Sequence, residues 1–370
     1  LEELRQRRRA EKAKITGYDG LCRRIPKDEA MARMASLEPH TIRLAMPTSG
    51  VTTVHDRLRG AVDFDNTQMD DQVLLKSDGF PTYHLANVVD DHLMKITHVI
   101  RAEEWITSTP KHVVLYHAFG WPVPEFVHLP LLRNKDKSKI SKRKNPVSLL
   151  YYRQIGILPE TMRNFLALLG HSMPDEREVF ELEDFVREFS FDRISLGGPV
   201  FDVEKLLWLN GVRIRAMDPV ALADRLRDTV FARDRLAQMV PLVQERIRTL
   251  GEFAQATSWF DLYSVQLPLD DLVAAGKGRG PKEIGELLAE CQERVDGLRQ
   301  FDKDTLESLF RGLAEEKGVS PSELFMVLRI ALTGRKATPP LFESMAVLGR
   351  AAVAQRLRMA AEAVKGYRPR

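Results

Sequence analysis

A thirteen-residue run beginning at Arg133, RNKDKSKISKRKN, carries seven lysines and arginines against one aspartate, and the chain is patterned differently on its two sides. So dense a run of like charge cannot pack on itself and must lie in solvent or face an anionic ligand. Before it, helical and β-branched stretches alternate. Tyr83 to Met94 has helical spacing and ITHVI reads as a strand ending at Arg101. Ser108-Thr109-Pro110 then opens a helix over KHVVLYHAFG, and EFVHLPLL is a further strand. Helix, strand, helix, strand is the rhythm of a parallel α/β sheet. After the run the pattern is helical almost to the end. LPETMRNFLALLG is closed by Gly170, DVEKLLWLNG has Asp202 to cap it and Gly211 to stop it, and Ser320-Pro321-Ser322-Glu323 forms a capping box. The expected fold is therefore an incomplete Rossmann-type α/β domain with an α+β insertion, followed by an all-α region.

Residues 1–80 read as the small α+β unit. A helix ends at Ser36-Leu37-Glu38-Pro39, TIRLAMP alternates like a strand, and DRLRGAVDFDN followed by DDQVLLKSDG reads as strand, turn, strand. The boundaries expected are 1–80, 81–132, 133–218 and 219–370, with linkers near Met217-Asp218-Pro219 and in GKGRGPKE at 276–283. The first residue is Leu, and the charged helical pattern LEELRQRRRAEKAK starts without a cap or lead-in strand, as if the chain were cut within a domain.

Bulk properties exclude several classes. With 44% apolar and 29% charged residues the chain folds rather than staying disordered, and 370 residues suffice for two to four domains. No apolar run approaches the ~20 residues of a membrane span, and Leu1 to Lys14 lacks the apolar core of a secretory signal, so a cytoplasmic protein with no membrane partner is expected. Cys22 and Cys291 match neither a disulfide framework nor a metal spacing. A net charge of +3 leaves any nucleic-acid contact to local basic patches.

Lys139-Ile140-Ser141-Lys142-Arg143 is the strongest chemical signal. Two ammonium groups with a hydroxyl between them, just after a strand, suit a polyphosphate whose charge develops in a transition state. A solvated basic loop explains the five residues equally well. Their context decides: Asp78-Gly79-Phe80-Pro81-Thr82-Tyr83-His84-Leu85-Ala86-Asn87, then Arg101-Ala102-Glu103-Glu104-Trp105, then the basic loop, resemble in order and spacing the class I synthetases for glutamate and glutamine. The resemblance is to bacterial glutamyl-tRNA synthetases and runs from GYDGLCR through SLGGPVFDVEKLLWLNG to LRIALTGRKATPPLFESMAVLG. The all-α second half favours the glutamyl enzymes over glutaminyl enzymes with a β-barrel anticodon region.

The resemblance implies an ATP-dependent glutamate–tRNA ligase that acts as a monomer on glutamate, ATP with its Mg²⁺, and tRNA(Glu). It implies that Tyr83, Asn87 and Arg101 line the glutamate pocket, that Glu104, Trp105, Leu132 and Lys142 contact ATP, and that Lys139, Ser141 and Lys142 form the catalytic loop. It assigns 1–80 to acceptor-end binding, 81–132 to the second half of the catalytic domain, 133–218 to the signature loop and stem contacts, and 219–370 to the anticodon. The residues alone leave other readings open: an ordinary half-buried helix face for Tyr83 and Asn87, an ion pair with Asp90 or Asp91 for Arg101, and core packing for Trp105. His84, His92 and His98 have no ligand spacing and are read as non-catalytic. Zinc is not expected, because Arg24 stands where a zinc-binding relative has histidine after a cysteine like Cys22. Arg101-Ala102-Glu103 replaces the more frequent Arg-Gly-Glu. The family's N-terminal His-Ile-Gly-His-like signature is not in the chain, so the 370 residues alone are expected to be inactive. The rival is a tRNA-binding fragment without catalysis.

Overall fold

A computed structural model of the chain describes residues 6–7, 10, 18–140, 148–260 and 263–368. Contacts divide it into two compact units. One comprises residues 1–133, 168–178 and 183–200; the other comprises 134–167, 179–182 and 201–370.

Among the described residues the first unit has helix α1 (Lys27–Ala35), preceded by a 3₁₀ turn at Leu21–Arg24, and six strands: β1 (Ile42–Arg43), β2 (Val51–Asp56), β3 (Gly60–Asp65), β4 (Val73–Leu75), β5 (His98–Ala102) and β6 (Glu125–Leu129). Helix α2 (Tyr83–Leu93) precedes β5, and α3 (Thr109–Phe119) connects β5 to β6. Strands β5 and β6 pair in parallel from His98 opposite Glu125 to Ala102 opposite Leu129. A strand, a helix and a parallel neighbouring strand make the βαβ unit that the sequence pattern predicts. The four-stranded sheet runs β3-β2-β6-β5. Its core joins Val54, Val88, Val99, Val113, Tyr116 and Phe126.

The hairpin sits one element earlier than the sequence pattern places it. Strand β3 pairs with Val51–Asp56, and the DDQVLLKSDG strand pairs instead with the short β1. The cause lies in Asp56, whose Oδ1 accepts from the backbone N–H of Leu58 and Arg59 and so folds the turn before Gly60.

Beyond Ser148 come α4 (Leu149–Gln154), α5 (Pro159–Leu168), α6 (Leu182–Glu188), α7 (Val203–Ala216), α8 (Pro219–Asp228), α9 (Arg233–Val243), α10 (Glu252–Thr257), α11 (Leu269–Ala275), α12 (Pro281–Gly297), α13 (Lys303–Glu316), α14 (Pro321–Thr333), α15 (Leu341–Leu348) and α16 (Arg350–Lys365). Asp202 caps α7 as expected, accepting from Glu204 N–H at 3.0 Å. Gly211 does not stop that helix, which continues to Ala216. It ends before Asp218, a residue that Pro219 keeps out of the helical region and that then caps α8 through the N–H groups of Val220 and Ala221. The box at Ser320 is half formed. Ser320 Oγ accepts from Glu323 N–H, while the Glu323 carboxylate is taken by Arg279. A reciprocal glutamate appears instead at α12, where Gly280 N–H donates to Glu283 Oε2 at 2.7 Å.

Helices α12 and α16 pack along their length over Leu288, Cys291, Val295, Val353, Leu357 and Val364, all buried. Each such side chain contributes ~1.5–3 kcal/mol through removal from water. Gly334 closes α14 at φ 70°, and a Cβ there would lie 2.3 Å from the Gln266 carbonyl oxygen. Gly334→Ala is expected to destabilise the protein by about 2–4 kcal/mol, the sum of left-handed strain and overpacking. Urea unfolding measures this as a lower midpoint at constant slope; an unchanged midpoint contradicts the close approach.

Candidate active site in the α/β unit

The C-terminal ends of parallel strands are where open α/β sheets place ligands. Arg101 stands near the end of β5, half-buried. Its Nε donates to His128 Nε2 at 3.2 Å, its Nη2 to Thr109 Oγ1 at 2.9 Å, and its terminal nitrogens lie 3.3 and 3.4 Å from His112 Nδ1. The ion pair with Asp90 or Asp91 that the sequence leaves open is not formed: the residues that hold Arg101 are neutral, and Asp91 acts on it only as a charge at longer range. Burial lowers the guanidinium's pKa from its ordinary value, but an arginine stays charged.

Strand β6 supplies His128 and helix α3 supplies Thr109 and His112, all of them buried. His128 Nδ1 is 2.6 Å from Asp56 Oδ2, which also accepts the His128 backbone N–H at 3.0 Å. Both side chains of that pair are fully buried. Desolvation lowers the His128 pKa against the pull of Asp56, and it drives His112 down to about 3, with the charge of Arg101 adding to the effect. His112 is therefore neutral at neutral pH. His84, on α2, lies 2.9 Å away through its Nδ1 to His112 Nε2, and burial lowers its pKa too.

Helix α2 places Tyr83 and Asn87 one turn apart on the same face. The Tyr83 ring meets the Trp105 ring with centroids 4.6 Å apart, and the Arg101 guanidinium carbon lies 5.8 Å from the Trp105 ring centre. Asn87 Nδ2 donates to Asp91 Oδ2 at 2.9 Å. Burial raises the Asp91 pKa. Tyr83, Arg101 and Trp105 thus surround one place on the unit, with Asn87 beside them on the helix, and Tyr83 remains 46% exposed and reachable.

Glu104 is exposed in the 3₁₀ segment Glu103–Ser108 that follows β5, and its neighbour Glu103 pairs with Arg59 at 2.6 Å. Leu132 is half-buried just past β6. Lys139 is exposed and belongs to the second compact unit, after a tight turn in which Ser138 N–H donates to Asp136 Oδ1 at 2.9 Å. Ser141 and Lys142 lie outside the described residues. Sequence reasoning missed His112, His128, Thr109 and Asp56. The two histidines sit inside apolar helix and strand patterns, and nothing local marks them. Among the described residues no three or more His, Cys, Asp or Glu side chains converge as metal ligands, and no helix is long and apolar enough to cross a membrane.

The family model of the class I tRNA synthetase catalytic domain for glutamate and glutamine matches residues 1–208, and an anticodon binding domain matches 220–361. Glutamate–tRNA ligase of Thermus thermophilus is 48% identical over 370 residues, which cover 97% of this chain and 76% of that protein. The ligase of Cellvibrio japonicus is 44% identical over 369 residues, 99% of this chain and 73% of its own. Among solved structures, a glutamate tRNA ligase from Elizabethkingia meningosepticum in complex with its amino acid superposes with a TM-score of 0.57 at 28% identity, covering 99% of this chain and 78% of that one. With a catalytic-domain match over more than half its length and relatives this similar over nearly all of it, the chain belongs to the glutamate–tRNA ligases of the class I synthetases.

Proposed function

We propose that the protein activates glutamate with ATP for transfer to tRNA(Glu), with Tyr83, Asn87 and Arg101 receiving glutamate. Glu104, Trp105, Leu132 and Lys142 contact ATP, and Lys139, Ser141 and Lys142 act on its phosphates. The observation that carries this reading is the guanidinium of Arg101, which is half-buried and held by neutral partners alone. Its positive charge is left for an anionic ligand. A planar guanidinium grips a carboxylate through two parallel hydrogen bonds, which a neutral amide cannot reproduce.

In the first step a carboxylate oxygen of glutamate bonds to the α-phosphorus of ATP, and the bond from that phosphorus to the bridging oxygen breaks, releasing pyrophosphate. In the second, a hydroxyl of the terminal ribose of tRNA attacks the acyl carbon and AMP leaves. Neither step needs a nucleophile from the protein. Catalysis is positioning together with charge stabilisation. Mg²⁺ travels with ATP, held mainly by phosphate oxygens and water. The helical region binds the anticodon end of the tRNA, and the protein works as a monomer in the cytoplasm.

Pyrophosphate exchange into ATP by the full-length protein, run with each amino acid in turn, tests the reading. Exchange dependent on glutamate and weak with glutamine is expected. Equal exchange with both, or none with glutamate, overturns it.

A further inference from the structure

We infer that Asp56, His128, Thr109 and His112 are positioning residues that aim the Arg101 guanidinium while leaving its charge unspent. The inference rests on the glutamate pocket proposed above and concerns groups that no part of that proposal uses.

Hydrogen-bond polarity runs one way through the set. Asp56 Oδ2, 2.6 Å from His128 Nδ1, accepts the proton there, so His128 is the Nδ1–H tautomer and its Nε2 carries a lone pair. That lone pair faces Arg101 Nε–H at 3.2 Å. On the other side, Arg101 donates to His112 Nδ1, which requires the opposite tautomer, with the proton on Nε2. That proton is directed to His84 Nδ1, 2.9 Å away. Thr109 Oγ1 accepts from Arg101 Nη2 and stands 3.0 Å from the Trp105 carbonyl oxygen and 3.1 Å from His128 Nε2, which joins the post-strand segment to the same network.

A carboxylate in place of either imidazole would hold the guanidinium as firmly but would cancel its charge. An imidazolium would repel it. Two neutral rings with assigned tautomers do neither, and Asp56 fixes one of those tautomers from a distance, separated from Arg101 by His128. The two contacts to His112 are long and share one lone pair, and the Tyr83 hydroxyl, itself assigned to glutamate, is a further neutral partner, so these are the contacts an anionic ligand displaces most readily. Aim matters at this distance, because a displacement of about 1 Å at a substrate-binding group costs on the order of 10²-fold.

The test has a spectroscopic arm and a kinetic arm. Nitrogen-15 NMR of the unsubstituted chain labelled at histidine is expected to show His128 as the Nδ1–H tautomer and His112 as the Nε2–H tautomer at neutral pH. An Nε2–H or imidazolium His128 overturns the inference without any variant being made. In the full-length protein, His128→Leu is expected to raise the KM for glutamate roughly ten-fold or more, with the KM for ATP changed less than about two-fold. His128→Gln, which keeps an acceptor oxygen for Arg101, is expected to recover most of the loss. An unchanged glutamate KM in His128→Leu, or equal losses for glutamate and ATP, overturns the positioning role. If Arg101→Lys itself leaves glutamate kinetics untouched, the pocket assignment fails instead, and the tautomer result stands apart from it.

Discussion

Lys142→Ala in the full-length protein is expected to slow adenylate formation by roughly ten- to a thousand-fold, the range for removing one preorganised charge from a developing phosphate transition state. The basis is the sequence of the loop: Lys139, Ser141 and Lys142 stand within four residues, directly after the strand pattern of the α/β half. Tight tRNA binding would draw on many basic side chains, and one lysine contributes only a fraction of that contact. Affinity for tRNA is therefore expected to change little. Single-turnover adenylation, run beside filter binding across a salt series, separates the two effects. Normal adenylation with lost tRNA affinity would make the loop an RNA contact and remove it from the ATP site.

Arg101→Lys is expected to lower kcat/KM for glutamate by about ten- to a hundred-and-fifty-fold, corresponding to ~1.5–3 kcal/mol for a hydrogen bond to a charged group. Lysine keeps the charge and loses the planar fork. Its donors all sit on one nitrogen, which cannot span Thr109, His112 and His128 as the separate nitrogens of the guanidinium do. The loss is expected to fall mainly on glutamate, the ligand assigned to Arg101, with a smaller effect on ATP through Trp105, whose ring and carbonyl touch the same network. Steady-state kinetics with each substrate varied in turn checks this.

What the sequence shows of this site is what is local. Tyr83 and Asn87 lie one helical turn apart, and Arg101 is the last residue but one of a five-residue strand just ahead of Trp105. Each of those relations is a spacing. The partners of Arg101 are different in kind. Asp56 and His128 are 72 residues apart and meet only because β2 and β6 are neighbours in the sheet. His112 reads as one polar residue in an apolar helix until α3 packs on that sheet. The same division holds for the fold. The βαβ unit from β5 to β6 follows from periodicity and one Ser-Thr-Pro signal. The pairing of β3 with β2 depends on a turn built by the Asp56 side chain, and the length of α7 on Pro219 rather than on Gly211.

The claim that an uncancelled arginine charge selects the substrate is tested most directly by calorimetric titration of glutamate and of glutamine into the full-length protein and its Arg101→Lys variant. The account predicts that the unsubstituted protein binds glutamate at least about ten-fold more tightly than glutamine, the difference expected from one charge-assisted contact. It predicts that Arg101→Lys weakens glutamate binding by a similar factor and leaves glutamine nearly unchanged. Equal binding of the two amino acids, or glutamate affinity indifferent to the substitution, would contradict it.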